Sequence, residues 1–347
     1  MKLIRKTRQG YDRKLIILGF IKIKYKSKNF AGSKETHKKD ETSKIKTCRV
    51  NISYKLVSNT IHFCKDILKH IDLSFLCGYV SGYLDIKIFM DRINYVFALF
   101  GDISKDSKIL EIGSGIGTSC ICAKALTGAN IIGVEPAPLS YKELHGCIVA
   151  FKEANPNLDY QILNCGGENI LLDDESVDFA YSFEVLEHVS DPYKVLAEIH
   201  RVLKKGGKAY ISTCNYDSFY EGHYKRFWNP FISPERNKKN FVKKGLSPQF
   251  FDELNFITKN KIINYIDEIG FSKYKFDPML SNPMKNIDLQ LVISKDAQSL
   301  LAQNKADNNN VRGGGPTRLH KFIESPRVDK FLKKFNREYK LYFLLEK

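Results

Sequence analysis

Residues Lys108–Cys120 read KILEIGSGIGTSC. A short apolar run, Ile109–Ile112, encloses Glu111; glycines follow at 113, 115 and 117, and a helix-compatible segment begins at Thr118. Strand, tight turn and helix is the arrangement implied, because glycine serves where the backbone turns left-handed or a ligand must approach it closely. A dinucleotide turn would place its third glycine at 118, where this chain has Thr118. Glu111, two positions before the first glycine, would repel a pyrophosphate but suits a cation. Glu135 lies 22 residues beyond Gly113, where a carboxylate can hold both ribose hydroxyls. The ligand implied is a nucleoside with a positive group and no phosphates.

Around this core the text is regular. Apolar runs at 109–112, 131–134, 160–163, 177–181 and 208–212 read as strands. Helical spacing falls between them, as in Tyr141, Leu144, Ile148 and Phe151. Asp191-Pro192 predicts an N-cap with proline at the first helical position; Gly206-Gly207 predicts that helix's stop. Val195, Leu196, Ile199, Val202 and Leu203 form its apolar face. Such alternation predicts a parallel sheet covered on both sides. Upstream, 61–71 and 86–100 show helical spacing. Downstream, a helix at 262–269 and strands at 271–276 and 288–293 are expected to close the domain. A Gly/Asn linker spans 303–316, and beyond it Val328, Phe331, Phe335, Tyr339 and Tyr342 line one face of an expected basic helix.

The formal charge of +16 is concentrated at the two ends. Residues 1–50 carry 16 basic and 4 acidic side chains and residues 311–347 carry 10 and 4, so the stretch between is close to neutral. The arms, rather than the centre, are the parts suited to an anionic polymer or surface. With 43% hydrophobic residues the chain has material for a packed core, which excludes wholesale disorder. Eight dispersed cysteines lack metal or redox spacing and read as reduced core residues. The histidines lack ligand spacing, so no metal is expected. No apolar run reaches a membrane span, and no secretory signal is evident; the expected location is cytoplasmic, with possible contact at the inner face of the membrane. Ile21, Ile23 and Tyr25 alternate with lysines, as on an exposed hairpin, and 27–46 reads as a flexible linker.

EIGSGIG at 111–117, GVEP at 133–136 and SVDFAYSFEVLEHVSDPYKVLAEIHRVLKKGGKAYIST at 176–213 resemble, in order and spacing, the class I S-adenosylmethionine-dependent methyltransferases with an LEHV motif. The resemblance covers about 105–214 and extends in architecture to about 293. It implies an α/β fold: a Rossmann-like, seven-stranded, mostly parallel sheet flanked by helices, here with basic N- and C-terminal extensions. The expected organisation is a basic extension over 1–50, a helical cap over 51–104, a methyltransferase domain over 105–296 with a substrate lid at 215–254, and a linker with a basic C-terminal helix over 297–347. S-adenosyl-L-methionine is the implied cofactor. Glu111, Gly113, Gly115 and Gly117 match positions lining its methionine moiety, Glu135 matches the ribose carboxylate, and Glu184 lies beside the sulfonium in relatives. Where relatives carry Asp for adenine this chain has Gly166, so either Glu168 substitutes or the backbone of Gly167 and Glu168 makes the contact.

The chemistry implied is in-line displacement at the sulfonium methyl. For a hydroxyl acceptor, His223 in the lid is the first candidate base and His188 of LEHV the second; His188 also reads as a turn-fixing residue. The lid sequence YDSFYEGHYKRFWNP (216–230) reads either as an aromatic, basic cover for an anionic or sugar-like acceptor or as a locally packed loop. Three functions follow: O-methylation of a small molecule or glycan, including surface-polysaccharide assembly with the arms on an anionic membrane; ribose methylation of RNA held by the arms; or cofactor binding without catalysis.

Overall fold

The computed structural model describes residues 12–17, 21–26, 46–68, 76–136, 142–246, 248–276, 287–308, 321–322, 325–335 and 337–347. The chain divides into two units, 1–44 and 45–347. In the first, β1 (Asp12–Ile17) pairs antiparallel with β2 (Ile21–Lys26), setting Leu15 opposite Ile23 and Lys14 opposite Lys24. The expected linker lies outside the described residues except for Lys46.

The second unit opens with β3 (Lys46–Ile52), α1 (Tyr54–Leu68), α2 (Leu76–Tyr83) and α3 (Ile86–Phe100). Asp85 caps α3 by accepting the Ile88 N–H, and Ile86, Met90, Ile93, Val96 and Phe100 are buried at helical spacing. Strands and helices then alternate: β4 (Lys108–Ile112), α4 (Thr118–Thr127), β5 (Asn130–Val134), α5 (Lys142–Ala154), β6 (Gln161–Leu163), β7 (Val177–Phe183), α6 (Pro192–Val202) and β8 (Leu203–Cys214). A hairpin of β9 (Tyr220–Glu221) and β10 (Arg226–Phe227), then α7 (Pro234–Val242), α8 (Lys259–Ile269) and β11 (Lys273–Phe276) follow. The chain continues through β12 (Ile287–Ile293), α9 (Lys295–Asn308), α10 (Pro326–Lys333) and β13 (Lys340–Glu346).

Seven strands form one sheet in the order β6-β5-β4-β7-β8-β13-β11. The strands from β4 to β8 run parallel, and β13 is antiparallel to both of its neighbours. The two-residue side-chain period sorts the strands' residues between two cores. Ile109, Ile131, Tyr181 and Tyr210 pack with α1 to α5, whereas Leu110, Ile112, Ile132, Val134 and Ile211 pack with α6 and α8. The sheet is thus a Rossmann-like α/β layer covered on both faces. All eight cysteines are unbridged and six are buried. Among the described residues no helix is long and apolar enough to cross a membrane.

Four sequence expectations need correction; first, the linker read over 303–316 is the end of α9 as far as Asn308, and its remainder lies outside the described residues. The basic helix read across 328–342 stops at Lys333, and Lys340–Glu346 is the strand β13, whose Leu341, Phe343 and Leu345 are buried on one face. The five aromatic and apolar positions fit helical spacing, but KLYFLLE also alternates with period two, and the unfilled edge of β8 favours the strand. The run at 288–293 does not close the main sheet: β12 pairs in parallel with β3, Leu289 opposite Cys48, as a separate two-stranded sheet. Asn155, at the end of α5, fastens that pair by accepting the Asn51 N–H at 2.7 Å and donating to the Asn51 carbonyl at 2.9 Å. Finally, α6 ends at Val202; Gly206-Gly207 instead shape the start of β8, where pairing with β7 slips between Val177 and Phe179.

Because Phe343 is fully buried and packs its ring 5.7 Å from that of Phe276, Phe343→Ala is expected to cost about 3–5 kcal/mol, read from the urea midpoint. A substitution at an exposed position such as Val242→Ala should stay within about 0.5 kcal/mol.

Candidate active site

A cavity of about 990 Å³ lies over the C-terminal ends of β4, β5 and β7, where open α/β sheets bind ligands. Its volume sits at the upper end for small-molecule sites, enough for a nucleoside together with an acceptor. Glu111, Gly113, Gly115, Glu135, Gly167, Glu168, Glu184 and His188 all line it. Gly117 and His223 are not among its lining residues.

The floor is the glycine turn. Gly113 and Ser114 donate their N–H groups to the Val134 carbonyl at 2.8 and 3.1 Å. Gly113, Gly115 and Gly117 all have positive φ, at 73°, 52° and 91°. A Cβ on Gly113 would lie 2.3 Å from Val185, and one on Gly117, the N-cap of α4, would lie 2.8 Å from the Tyr160 hydroxyl. At Gly115 there is space, with only Tyr83 at 3.6 Å, so bare backbone faces the cavity. Thr118, in place of a third glycine, donates its hydroxyl to the Tyr83 carbonyl at 2.6 Å and so ties α2 to the turn.

The two carboxylates at this turn have different environments. Glu111 is 3% exposed and accepts from Ser119, from Cys120 at 2.9 Å and from the Tyr181 hydroxyl at 3.1 Å. It lines the cavity and also knits α4 and β7 together beneath the turn; burial pushes it up to about 7 against these donors. Glu135 accepts the Gly115 N–H at 2.8 Å through Oε2. Burial raises it to about 7 as well, and that hydrogen bond only partly offsets the effect.

S-adenosylmethionine fits these groups. Ser114 Oγ is buried without a hydrogen-bond partner in the turn, Gly115 presents open backbone, and the desolvated Glu135 gains from a pair of hydroxyl donors. Glu135 would hold the ribose hydroxyls and the Gly113–Gly115 turn the methionine end. At the adenine side, a Cβ on Gly166 would fall 2.8 Å from Glu168, whose Oε1 accepts the Ser190 N–H and hydroxyl at 2.9 and 2.8 Å. Glu168, held low by Ser190 and Asp191 against its partial burial, is therefore engaged with the turn before α6. Gly167 packs on Ile112 and Val195, which leaves room for no side chain.

Charged groups cluster at the opposite wall. Glu184 sits in the left-handed region at φ 56°, accepts from Ser212 at 2.8 Å and pairs with Lys340 at 3.2 Å. Burial alone would raise its pKa, but Lys340, Ser212 and Arg92 outweigh that and hold it low. Glu187 is fully buried, takes the Thr213 hydroxyl at 2.7 Å through Oε2 and leaves Oε1 without a partner. Burial, then the nearby Glu184 charge, raises it.

The two histidines named from sequence meet. His223 Nε2 lies 3.2 Å from His188 Nε2, and His223 Nδ1 lies 2.6 Å from Glu221 Oε1. Burial alone would depress His223, but Glu221 foremost, then Glu187 and Glu184, raise it above the ordinary histidine value. Desolvation and the adjacent His223 push His188 down instead. Glu187, Cys214 and His223 also bring one donor atom each within 4.8 Å; both nitrogens of His223 are engaged with Glu221 and His188, so the trio is read as part of this network.

Sequence reasoning missed several residues. Glu221, Arg92 and Lys340 come from the lid, α3 and β13, and Phe63, Phe89 and Tyr83 give the cavity an aromatic wall. Helical spacing marked α3 but not which side would face a ligand. The lid aromatics behave as a packed loop rather than an acceptor surface. Trp228 is 2% exposed, donates to the Tyr216 carbonyl at 2.9 Å and stacks on Phe256 within a small core that includes Tyr224, Phe241 and Phe251.

Residues 110–211 match the methyltransferase domain family. With the seven-stranded sheet and the glycine turn, this marks residues 110–211 as the core of an S-adenosylmethionine-dependent methyltransferase domain, with S-adenosylmethionine as cofactor. A ubiquinone biosynthesis O-methyltransferase of Aliivibrio fischeri is 26% identical over 217 residues, 58% of this chain and 82% of the relative. The namesake from Photobacterium profundum is 29% identical over 199 residues, 56% and 75% of the two chains. A solved S-adenosylmethionine-dependent methyltransferase from Mesorhizobium loti is similar at a TM-score of 0.44 with 15% identity, covering 73% of this chain and 96% of its own.

Binding should require ionised Glu135, so calorimetric affinity for S-adenosylmethionine is expected to fall as pH drops through about 7. Glu135→Gln should weaken binding by about 1.5–3 kcal/mol and flatten that pH dependence. Gly115→Val, which fills the open backbone and strains a φ of 52°, should abolish binding while circular dichroism stays native.

Proposed function

We propose that the chain transfers the methyl group of S-adenosylmethionine to a hydroxyl of a small, ring-bearing acceptor, with the Glu221–His223–His188 chain receiving the hydroxyl proton. The observation that carries this reading is the histidine pair at 3.2 Å, anchored on Glu221 and reaching the cavity through His188. When bound, S-adenosylmethionine supplies an electrophilic methyl on a sulfonium.

This chain's residues then supply position and proton transfer. His188, pushed down to about 3 by desolvation and by His223, would relay the acceptor's hydroxyl proton rather than keep it, while the bound cofactor would supply the methyl group. Across the 3.2 Å contact the added charge is shared with His223, where Glu221 stabilises an imidazolium. Phe63, Phe89 and Phe183 offer faces to an aromatic or otherwise flat acceptor, and Arg92, 5.9 Å from the Phe183 ring centre, supplies a cation for a phenolate or carboxylate. The named relatives are O-methyltransferases, which agrees with a hydroxyl acceptor. Small molecules fit this wall better than a glycan, and nothing in the cavity favours RNA.

The test is a panel of catechols, phenols, sugars and RNA with methyl-labelled cofactor, read by mass spectrometry. Label on a phenolic oxygen supports the reading; label on sugar or RNA alone overturns it. His223 can share a further proton only when neutral. Turnover with an accepted acceptor should therefore rise with pH through a value above 6.5, the ordinary histidine pKa. Removing the Glu221 charge should move that limb to lower pH in Glu221→Gln. His188→Gln should lower kcat about 10²–10⁴-fold with cofactor affinity retained.

A further inference from the structure

Four phenylalanines project from the surface on two adjoining segments. Phe227 and Phe231 belong to β10 and the loop after it, and Phe331 and Phe335 to α10 and the turn that ends it. All four are exposed, Phe231 by 70% and Phe335 by 61%. Scattered exposed apolar residues are ordinary, but linked ones mark an interaction site. Phe219 lies 6.2 Å from Phe227 and 5.9 Å from Phe231, and Phe331 lies 5.3 Å from Phe335. Arg337 joins the two pairs: its guanidinium carbon sits 4.9 Å from the Phe231 ring centre, and its backbone N–H donates to the Leu332 carbonyl of α10 at 2.9 Å. Leu332 in turn packs with Tyr220 and Phe219 of the lid.

The same segments are strongly cationic. Residues 225–244 hold seven Lys or Arg against one acidic residue, and residues 321–337 hold six against two. We infer that this face docks on the surface of an anionic phospholipid bilayer, with the phenylalanines at headgroup depth and the cations on lipid phosphates. Phe331 and Phe335 are tilted by 59° and Phe219 and Phe231 by 60°, whereas Phe219 and Phe227 lie near-parallel at 19°; exposed rings interleaved with cations match an anionic lipid surface, and RNA is the competing occupant that the test separates. The surface stands independently of the acceptor chemistry, and it lies on the lid segment that also carries His223.

The test is flotation of the full chain with vesicles of phosphatidylcholine alone and of phosphatidylcholine with phosphatidylglycerol. Binding is expected only to the anionic vesicles. It should fall at least tenfold in the double variant Phe231→Ser/Phe335→Ser and in Lys330→Glu/Lys334→Glu. Cofactor calorimetry on the same preparations checks the fold, and Phe227→Ser/Phe331→Ser serves as a second pair should the first misfold. Failure of the full chain to float with anionic vesicles overturns the inference. So does undiminished flotation of both folded phenylalanine variants, or loss of flotation confined to Lys22→Glu/Lys24→Glu in the N-terminal hairpin. Phenylalanine-dependent retention of RNA on filters without flotation overturns it in favour of nucleic acid.

Discussion

The site depends on a carboxylate placed where water cannot reach it. Glu111 is held out of solvent by three side-chain donors, two from the first turn of α4 and one from β7. A buried carboxylate without such partners would be strongly destabilising. With them it fixes the relation of strand end, turn and helix start, so that the backbone at Gly113–Gly115 is presented in one conformation. Glu135 can then use one oxygen to brace Gly115 and keep its place at the cavity floor. The turn is rigid because its conformation is determined from beneath by Glu111 and from the flank by Tyr83, which accepts the Thr118 hydroxyl.

The opposite wall follows a different electrostatic logic. Glu184 and Glu187 are neighbours that cannot both carry charge cheaply in a desolvated place. Lys340 settles the first as an anion, and burial together with that anion biases the second toward its neutral form. His223 lies near both and also takes Glu221, so positive charge gathers on it while His188 is kept neutral. The two adjacent imidazoles are thereby separated, with His223 the one that keeps a proton and His188 the one that passes it on. The left-handed backbone at Glu184 is the kind of local strain that a surrounding structure holds in place at a working site.

Much of this was legible in the chain itself, and the parts that were not share a cause. Ile109–Ile112, the glycines and Glu135 lie within one strand–turn–helix–strand unit, so spacing alone placed them. Asp191-Pro192 marked the start of α6 by local chemistry. By contrast, Lys340 reaches Glu184 across 156 positions of sequence, and the side-chain pattern of 328–342 suited a helix as well as a strand until an unpaired edge of β8 was available to choose between them. Glu221 sits two residues from His223 in the sequence, yet its role depended on a hairpin bringing both beside His188. Trp228 was conspicuous by composition, but only packing shows that it holds the lid together. That Glu111 also ties α4 to β7 was not legible, because Tyr181 is brought to it only by the fold.

The strand order carries a consequence for biosynthesis. β13 is inserted between β8 and β11, although β11 leaves the ribosome more than sixty residues earlier. Until Lys340–Glu346 is synthesised, β8 has a bare edge and β11 has no neighbour in the sheet. The nascent chain therefore carries an open hydrogen-bonding ladder beside a half-built apolar layer, the condition that invites mispairing and chaperone capture. Maturation of the catalytic wall waits on the same event, because the lysine that neutralises Glu184 arrives with that last strand.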